Sequence, residues 1–387
     1  MMNNREKIIA KIEKLSQDLI YLSDKIGQNP ELGFKEFKTV NWLIEFLSKH
    51  NFQIQKSLAG LETAFRAEYK FSQPGPKIAY LCEYDALPRI GHGCGHNMIG
   101  VMSVGAAVAL SNAKGLKGSI VVIGCPGEEV GGGKVTLVDE GIFDDIDAAM
   151  MVHPSNVNRT YSTSLAIEAL AFTFHGQTAH AAASPEKGIN ALDGVIQLFN
   201  GINALREHLK DGVRIHGIIN KGGESPNVVP GLAEARFYFR SHDKKYLKEI
   251  IKKATNIARG AAQMTGCEVE WNNFEESNDN LKPSKKLADI FEKELKKLEI
   301  EKIMPPEKQY GSTDMGNVSQ VVPSIHPYIK IGEDITGHTV EFKEATMSEK
   351  GHQALIKAAK ALALTGCKLL SDSKLLEDIK QDFKKRE

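Results

Sequence analysis

The chain has 387 residues, enough for two or three domains with sizeable cores, and its 49 Lys and Arg residues balance its 49 Asp and Glu residues. This balance gives no reason to expect nucleic acid or a membrane surface as a partner, and no apolar run approaches the length that spans a bilayer. Residues 1–14 are polar, unlike a secretory signal, and five irregularly spaced cysteines do not suggest a disulfide framework, so we expect a cytoplasmic enzyme.

The first part of the chain alternates between predicted strands and helices. Apolar residues at helical spacing predict helices over 3–28, 36–50 and 98–110. Short apolar runs predict strands over 52–54, 63–69, 77–82, 119–124 and 148–152. This alternation predicts an α/β layer sandwich whose loops at the strand ends carry the chemistry.

The middle of the chain has a different pattern. Strands predicted over 165–174, 214–221, 233–240 and 268–271 are interleaved with helices over 190–208 and 244–264, in the order βαββαβ. We therefore predict a discontinuous first domain, 1–163 with 279–387, and an inserted α+β domain, 164–278. In the returning part we predict helices over 285–298 and 347–364, a Gly- and Ser-rich loop over 309–319, and a charged, dispensable helical tail after residue 371.

A short loop, residues 91–97, concentrates metal-ligand types. His92, Cys94 and His96 are separated only by glycines, which let the backbone approach an ion closely. Borderline-soft metals take thiolate and imidazole ligands, and a Cys-x-His pair can present both to one cation. This loop is the first candidate for a metal site.

Further polar side chains follow two of the predicted buried strands. Glu128 and Glu129 come soon after the strand over 119–124, and His153 comes directly after 148–152. Adjacent carboxylates point in different directions, so one can bind a metal while its neighbour stays free. Together with the loop, these side chains form a candidate cation site.

Other interpretations of these residues stay open. His153 could be a hydrogen-bonded core residue, and the two glutamates could lie in a solvated loop. Cys94 could be a thiol nucleophile beside a histidine. His92 could neighbour the metal, donate a hydrogen bond to a ligand, or pack within the loop.

A resemblance to one enzyme family rests on seven motifs that span nearly the whole chain. They are Asp85-Ala86-Leu87-Pro88, Gly91-His92-Gly93-Cys94-Gly95-His96, Gly127-Glu128-Glu129, His153-Pro154, Gly176-Gln177-Thr178-Ala179-His180, Asn227-Val228-Val229-Pro230 and Gly337-His338-Thr339. The chain resembles the dinuclear metallopeptidases that include aminoacylases, glutamate carboxypeptidases and succinyl-diaminopimelate desuccinylase. It is most similar to their amidohydrolase branch, which contains indole-acetyl-amino-acid hydrolases, aminobenzoyl-glutamate hydrolases and β-alanyl-lysine-type dipeptidases.

The resemblance implies a three-layer catalytic domain and a set of site residues. The implied metal ligands are Cys94, His96, Glu129, His153 and His338. Glu128 is the implied general base. Two cations about 3.5–4 Å apart would share a bridging water or the Cys94 thiolate. Such a ligand set suits zinc or manganese better than calcium or magnesium.

One position departs from many relatives. Glu83 stands where they carry a histidine, two residues before the Asp of the Asp-x-x-Pro turn. The amidohydrolase branch also lacks this histidine, so its Cys-x-His loop must supply ligands instead. Asp85 is then expected to orient a ligand or tune its basicity, although its carboxylate could also reach a metal.

The resemblance also makes the inserted domain a lid and a homodimerisation module. His180 would reach the partner subunit's active site and stabilise the oxyanion. The implied substrate-binding residues are Asn227, Arg240, Gly311, Ser312 and Thr313. Strand alternation puts Arg240 on one face with Tyr238, where its guanidinium matches a carboxylate. A solvated strand-face arginine is the alternative.

These inferences predict a metal-dependent amidohydrolase or dipeptidase. It would cleave an N-acyl-amino acid or dipeptide that has a free carboxylate, with water activated by metal and Glu128 as the base. An aminopeptidase acting on longer peptides is one alternative. A non-catalytic metal-binding homologue that keeps the lid and the dimer is another.

Overall fold

A computed structural model describes residues 2–308 and 311–385, which form two compact units. The first unit contains residues 2–163, 281–308 and 314–385, and the second contains 164–280 and 311–313. The main segment of the second unit ends at Asn280, whereas the inserted domain was predicted to end two residues earlier, at residue 278. The segment 311–313 belongs with the second unit, where the Gly311 carbonyl accepts a hydrogen bond of 2.9 Å from the Leu165 N–H.

A six-stranded sheet organises the first unit. Its strands lie in the order Gln53–Leu58, Leu61–Lys70, Ser119–Gly124, Lys77–Cys82, Ala148–Met150 and Ser324–Ile325. The last four strands of this order are parallel to one another. Their carboxyl ends therefore meet at one edge, which is where ligands bind in α/β sheets.

The helices of the first unit pack around this sheet. They are Asn4–Gln28, Phe37–Ser48, His96–Leu110, Glu128–Gly131, Gly133–Asp139, Lys285–Lys297, Met315–Val321, Val340–Thr346, Glu349–Ser371 and Ser373–Lys384. Two short parallel pairs accompany them, His153–Ser155 with Tyr328–Lys330 and Ser162–Thr163 with Glu307–Lys308.

One helix forms the centre of the main core. Every residue of His96–Leu110 is buried, as expected of a helix that is apolar on all sides. It contacts the helices Asn4–Gln28 and Glu349–Ser371 and the strand Lys77–Cys82. The helix begins at His96 rather than at residue 98 as predicted, so a candidate metal ligand lies in its first turn.

Two predictions for the returning part of the chain were wrong. The predicted loop over 309–319 contains the start of the helix Met315–Val321, because Met315 and Val318 bury their side chains in the core. The tail is not dispensable, since Leu376 and Ile379 of the last helix are 4% and 0% exposed and belong to the same core. An i, i+3 spacing puts both on one helix face.

The second unit confirms the predicted βαββαβ order. Its four-stranded antiparallel sheet has the order Glu268–Asn273, Ala166–His175, Leu232–Ser241 and Arg214–Lys221. The helices Ala191–Arg206 and Lys244–Thr265 bury their apolar faces in a separate core with this sheet. Among the residues that the structure describes, no helix combines the length and the apolar composition that crossing a bilayer requires.

Candidate metal centre

The candidate site residues of the first unit lie at the carboxyl edge of the parallel strands. Asp85 follows Lys77–Cys82, and Glu128 and Glu129 follow Ser119–Gly124. His153 comes soon after Ala148–Met150. Because these strands are neighbours and parallel, loops that are far apart in sequence converge there.

A glycine brings the Cys-x-His loop against the loop of His153. Gly95 has φ +82°, and a Cβ added there would lie 2.3 Å from Cγ of Pro154. Only glycine therefore allows this approach of the two backbones. As a result, Sγ of Cys94 lies 3.5 Å from Nε2 of His153.

All five predicted ligands and the predicted base come together in three overlapping groups. Within each group the potential ligand atoms lie within 4.8 Å of one another. The groups are Cys94, His96 and His153; Cys94, Glu129 and His338; and His96, Glu128 and Glu129. The Cys94 thiol belongs to the first two groups, so it can serve two cations at once. His338 has φ +66°, and its N–H is held by the carbonyl of Gly93 at 2.9 Å.

Asp85 connects two of these groups without belonging to any of them. Its Oδ1 lies 2.8 Å from Nδ1 of His96, and its Oδ2 accepts the Glu129 N–H at 2.9 Å. Both Asp85 and His96 are 1% exposed. A carboxylate that accepts the Nδ1 proton leaves the Nε2 lone pair of His96 free for a metal.

Two buried polar atoms in the centre lack hydrogen-bond partners among the described residues. They are Nε2 of His96 and Oε1 of Glu129, which lie 4.0 Å apart. Nε2 of His338 lies 3.3 Å from the same Glu129 oxygen. Unsatisfied buried polar atoms are costly, and bound cations that take these two atoms as ligands would satisfy both. The side chains therefore fit a bound metal.

The electrostatic surroundings of Cys94 and His153 agree with this fit. Burial lowers the pKa of His153 to about 3, and its Nδ1 donates to the carbonyl of Pro154 at 2.7 Å, so the ring is neutral with Nε2 available. Burial raises the pKa of the Cys94 thiol to about 12. A reactive cysteine nucleophile needs a lowered pKa, whereas a metal ligand loses its proton on binding the ion. The thiol-nucleophile alternative is therefore disfavoured.

Glu128 lies beside His96 and Glu129 and is half-buried. Burial raises the pKa of Glu128 well above its ordinary value, and the carboxylates of Glu83 and Asp314 raise it further. A carboxyl group with a raised pKa can hold a proton between two steps of a reaction. This property suits the general base that was predicted from the sequence.

A buried ionic trio next to the candidate metal centre was not predicted from the sequence. Nζ of Lys134 lies 2.7 Å from Oε1 of Glu83 and 2.6 Å from Oδ1 of Asp314. All three side chains are at most 1% exposed. The sequence left the role of Glu83 unassigned, and a lysine after a run of glycines carries no sign of burial.

Two further histidines lie outside the three ligand groups. His92 is 1% exposed and belongs to none of the three ligand groups. His326 follows the strand Ser324–Ile325 and was missed by sequence reasoning. Its ring lies 5.4 Å from the ring of His153, and it is 4% exposed.

The predicted substrate residues of the second unit form two local clusters. Nη1 of Arg240 donates to Oγ of Ser312 at 3.2 Å, next to Gly311 and Thr313. The Nε of Arg240 is buried and makes no hydrogen bond to a described residue.

The second cluster contains His180 and Asn227, whose side chains are both exposed. Their segments are paired, with the Asn227 carbonyl accepting the Ala181 N–H at 2.9 Å. Nδ1 of His180 accepts N–H groups of residues 182 and 183, at 3.2 and 3.0 Å, so its Nε2 can donate outward.

Comparisons with known proteins place this geometry in context. The family model described as Peptidase family M20/M25/M40 matches residues 82–364. The mouse (Mus musculus) Xaa-Arg dipeptidase is 37% identical over 397 residues, covering 98% of this chain and 92% of that protein. A p-aminobenzoyl-glutamate hydrolase chain of Escherichia coli K12 is 30% identical, covering 96% and 93%. A crystal structure of a Bacillus subtilis protein, described as a dinuclear metal-binding peptidase of the M20 family, matches with TM-score 0.72 and 19% identity, covering 93% and 99%.

Proposed function

The chain belongs to the peptidase family M20/M25/M40, and from this premise we propose how it hydrolyses amide or peptide bonds. It is a metallohydrolase of the dipeptidase and amidohydrolase kind. The proposed substrate is a dipeptide or an N-acyl-amino acid with a free α-carboxylate. The observation that carries the proposal is the pair of ligand groups that share Cys94, with Glu128 beside them.

The proposed metal centre holds two divalent cations. Cys94, His96 and His153 would hold one, and Cys94, Glu129 and His338 would hold the other. Sulfur, imidazole and carboxylate donors support zinc or manganese as the ions. The Bacillus subtilis protein of similar fold, described as a dinuclear metal-binding peptidase, agrees with two ions.

The proposed reaction assigns proton transfer to Glu128. When bound, the cations supply polarisation of the scissile carbonyl and acidification of a water molecule. Glu128 accepts the proton of the attacking water and delivers it to the leaving amine, so the free amine departs in neutral form. Asp85 keeps the proton of His96 on Nδ1, which holds the imidazole in the metal-binding tautomer.

The proposed carboxylate site lies in the second unit. Arg240 would bind the α-carboxylate of the substrate, using the unpartnered Nε and one Nη in a fork. Ser312 already accepts from this guanidinium, and Gly311 and Thr313 flank it, so their hydroxyl and N–H groups can add hydrogen bonds. Asn227 would contact the substrate from the neighbouring cluster.

The proposed assembly is a homodimer formed through the second unit. The strand Arg214–Lys221 lies at the edge of its sheet, and Ile218 and Ile219 on it are 61% and 46% exposed. An exposed apolar edge favours pairing with a second copy. In such a dimer His180 of one chain would stabilise the oxyanion in the site of its partner.

One experiment tests the proposed function. Release of free amino acids is measured on a panel of dipeptides and N-acyl-amino acids, including Xaa-Arg dipeptides and p-aminobenzoyl-glutamate, with zinc or manganese added. We expect turnover of at least one class, and a fall in kcat of about 10²- to 10⁴-fold in Glu128→Gln with both cations still bound. Glu140→Gln, at an exposed position, is the matched control. Undiminished kcat in Glu128→Gln would exclude this residue as the base, and cleavage of long peptides alone would favour an aminopeptidase.

A further inference from the structure

The segment before the helix Phe37–Ser48 contains an unusual backbone position. Phe34 has φ +62°, in the left-handed region that favours glycine, and bulky side chains rarely adopt it. The side chain is half-buried, yet it is not among the described residues that pack against the main core. Strained positions persist only where the surrounding structure holds them, and they cluster at functional sites. The reason for this conformation must therefore lie in the local contacts of the ring.

The ring of Phe34 lies on the turn that carries Glu128 and Glu129. A Cβ added at Gly127 would lie 2.6 Å from Cζ of the ring, and one added at Gly131 would lie 2.9 Å from its Cε2. Both distances are well below van der Waals contact, so the ring occupies the space that a side chain at either glycine would take. The proposed base and a proposed ligand thus stand between two glycines that the same ring covers.

Two further contacts join the segment 33–36 to this turn. Oε1 of Glu36 accepts the N–H of Gly127 at 2.9 Å. Cγ2 of Val130 lies so close to Gly33 that a Cβ added there would approach it to 2.2 Å. The segment therefore contacts the turn on both sides of the two glutamates.

The turn has little structure of its own. The helix Glu128–Gly131 has only four residues, and none of them is buried. It lies between Gly127, at φ +65°, and Gly132, at φ +61°, and glycines leave the backbone free to change conformation. A helix this short is not stable by itself, so neighbouring side chains must hold its carboxylates in place.

We propose that Phe34 is a positioning residue that holds the turn of Glu128 and Glu129 in the geometry that the metal centre requires. The inference rests on the proposed function and deepens it. Glu129 belongs to only one of the two groups proposed to hold a cation, the group with Cys94 and His338. Loss of the ring should therefore weaken one cation more than the other. It should also displace the base, and a misplacement of about 1 Å can lower a rate about 100-fold.

The first measurement is zinc binding by the full chain, stripped of metal and titrated against a chromophoric chelator. We expect two cations per wild-type chain, and one of them bound about 10- to 100-fold more weakly in Phe34→Ala. The kcat should fall by a similar factor with KM nearly unchanged, because the substrate carboxylate is bound elsewhere.

Phe46→Ala is the matched control, since Phe46 is also half-buried but packs against the main core. Circular dichroism verifies the fold of both variants. We expect the control to bind both cations and to turn over substrate as the wild type does. Wild-type affinities and kcat in a folded Phe34→Ala variant overturn the proposal, and so does an equal loss in Phe46→Ala.

A reciprocal pair of variants tests the contact of the ring itself. Gly131→Ala would place a Cβ against Cε2 of Phe34, so we expect it to weaken the same cation. Phe34→Leu removes that ring atom but keeps an apolar side chain, so it is also the replacement if Phe34→Ala fails to fold. Because the added Cβ then has room, Gly131→Ala should cause little further loss in the Phe34→Leu background. An equal effect of Gly131→Ala in both backgrounds contradicts the proposal.

Hydrogen exchange of the metal-free chain separates this proposal from the proposed function. The N–H groups of Gly131 and Gly132 donate to the Gly127 carbonyl at 3.1 and 2.9 Å. Both should exchange faster in Phe34→Ala than in the wild type, because the turn opens more readily without the ring. Unchanged exchange overturns the proposal. If exchange responds as expected but the wild type binds fewer than two cations, the proposed metal centre fails while the positioning of the turn is supported.

Discussion

Asp85→Asn tests whether one buried carboxylate organises both halves of the metal centre. Asp85 accepts two hydrogen bonds, from Nδ1 of His96 at 2.8 Å and from the N–H of Glu129 at 2.9 Å. Asparagine offers one acceptor oxygen and one donor amide in place of the two oxygens. One of the two donors must therefore lose its partner and face another N–H group.

The magnitude follows from the bond that is lost. A hydrogen bond to a charged group contributes about 1.5–3 kcal/mol, and about 1.4 kcal/mol corresponds to a tenfold change in affinity. Because His96 and Glu129 both supply proposed ligand atoms, we expect the loss to fall on metal binding. The affinity for at least one cation should drop about 10- to 150-fold.

The assay is competition for zinc with a chromophoric chelator, with circular dichroism to verify the fold. Asp24→Asn is a matched control, since Asp24 also contacts a histidine, Nε2 of His352 at 2.9 Å, outside the three ligand groups. We expect the control to bind both cations as tightly as the wild type. Normal affinity in a folded Asp85→Asn variant would refute the orienting role of Asp85.

Three further predictions address the substrate, the assembly and pH. Arg240→Ala should lower kcat/KM for a dipeptide about 10- to 150-fold but spare its uncharged amide, because only the carboxylate contact is lost. Arg236→Ala on the same strand face is the control, and an equal loss on both substrates would contradict the assignment. Neither His180→Ala nor Glu128→Gln should be active alone. When the two variants are mixed equally and exchange subunits, half of the dimers contain one variant of each kind, and each such dimer has one complete site. The mixture should therefore regain about a quarter of the wild-type rate. No recovery after verified exchange would argue against a contribution in trans. Burial raises the pKa of Glu36 from 4.5 to about 7. The protonated side chain therefore stabilises the fold below pH 4.5, and this contribution is lost as the pH rises to about 7. In urea unfolding of the metal-free protein, the wild type should lose about 3 kcal/mol relative to Glu36→Gln between pH 4.5 and 7, and parallel pH profiles would contradict this.

The sequence alone determined the elements and the candidate chemistry of this protein. Hydrophobic periodicity depends on which face of a helix or strand is buried, so it predicted the long central helix and the βαββαβ unit within a few residues. Ligand types clustered in short motifs, so the loop with His92, Cys94 and His96 and the pair Glu128 and Glu129 could be singled out without coordinates. The family resemblance then implied Cys94, His96 and Glu129 as ligands. The left-handed conformation of Gly95 before the central helix and the burial of Leu376 and Ile379 in the last helix could not be predicted in the same way. Both depend on which residues pack against them.

Only the tertiary structure decided which side chains meet. Asp85 links His96 to Glu129, and Lys134 is buried between Glu83 and Asp314. These arrangements follow from the order of the strands and from contacts between residues as many as 180 positions apart in the sequence. A charged residue is expected at the surface unless an opposite charge is buried with it, and a one-dimensional pattern does not say where that partner lies. Residue types and their spacing were therefore readable from the chain, whereas the pairing of buried charges and the membership of Cys94 in two ligand groups required the fold.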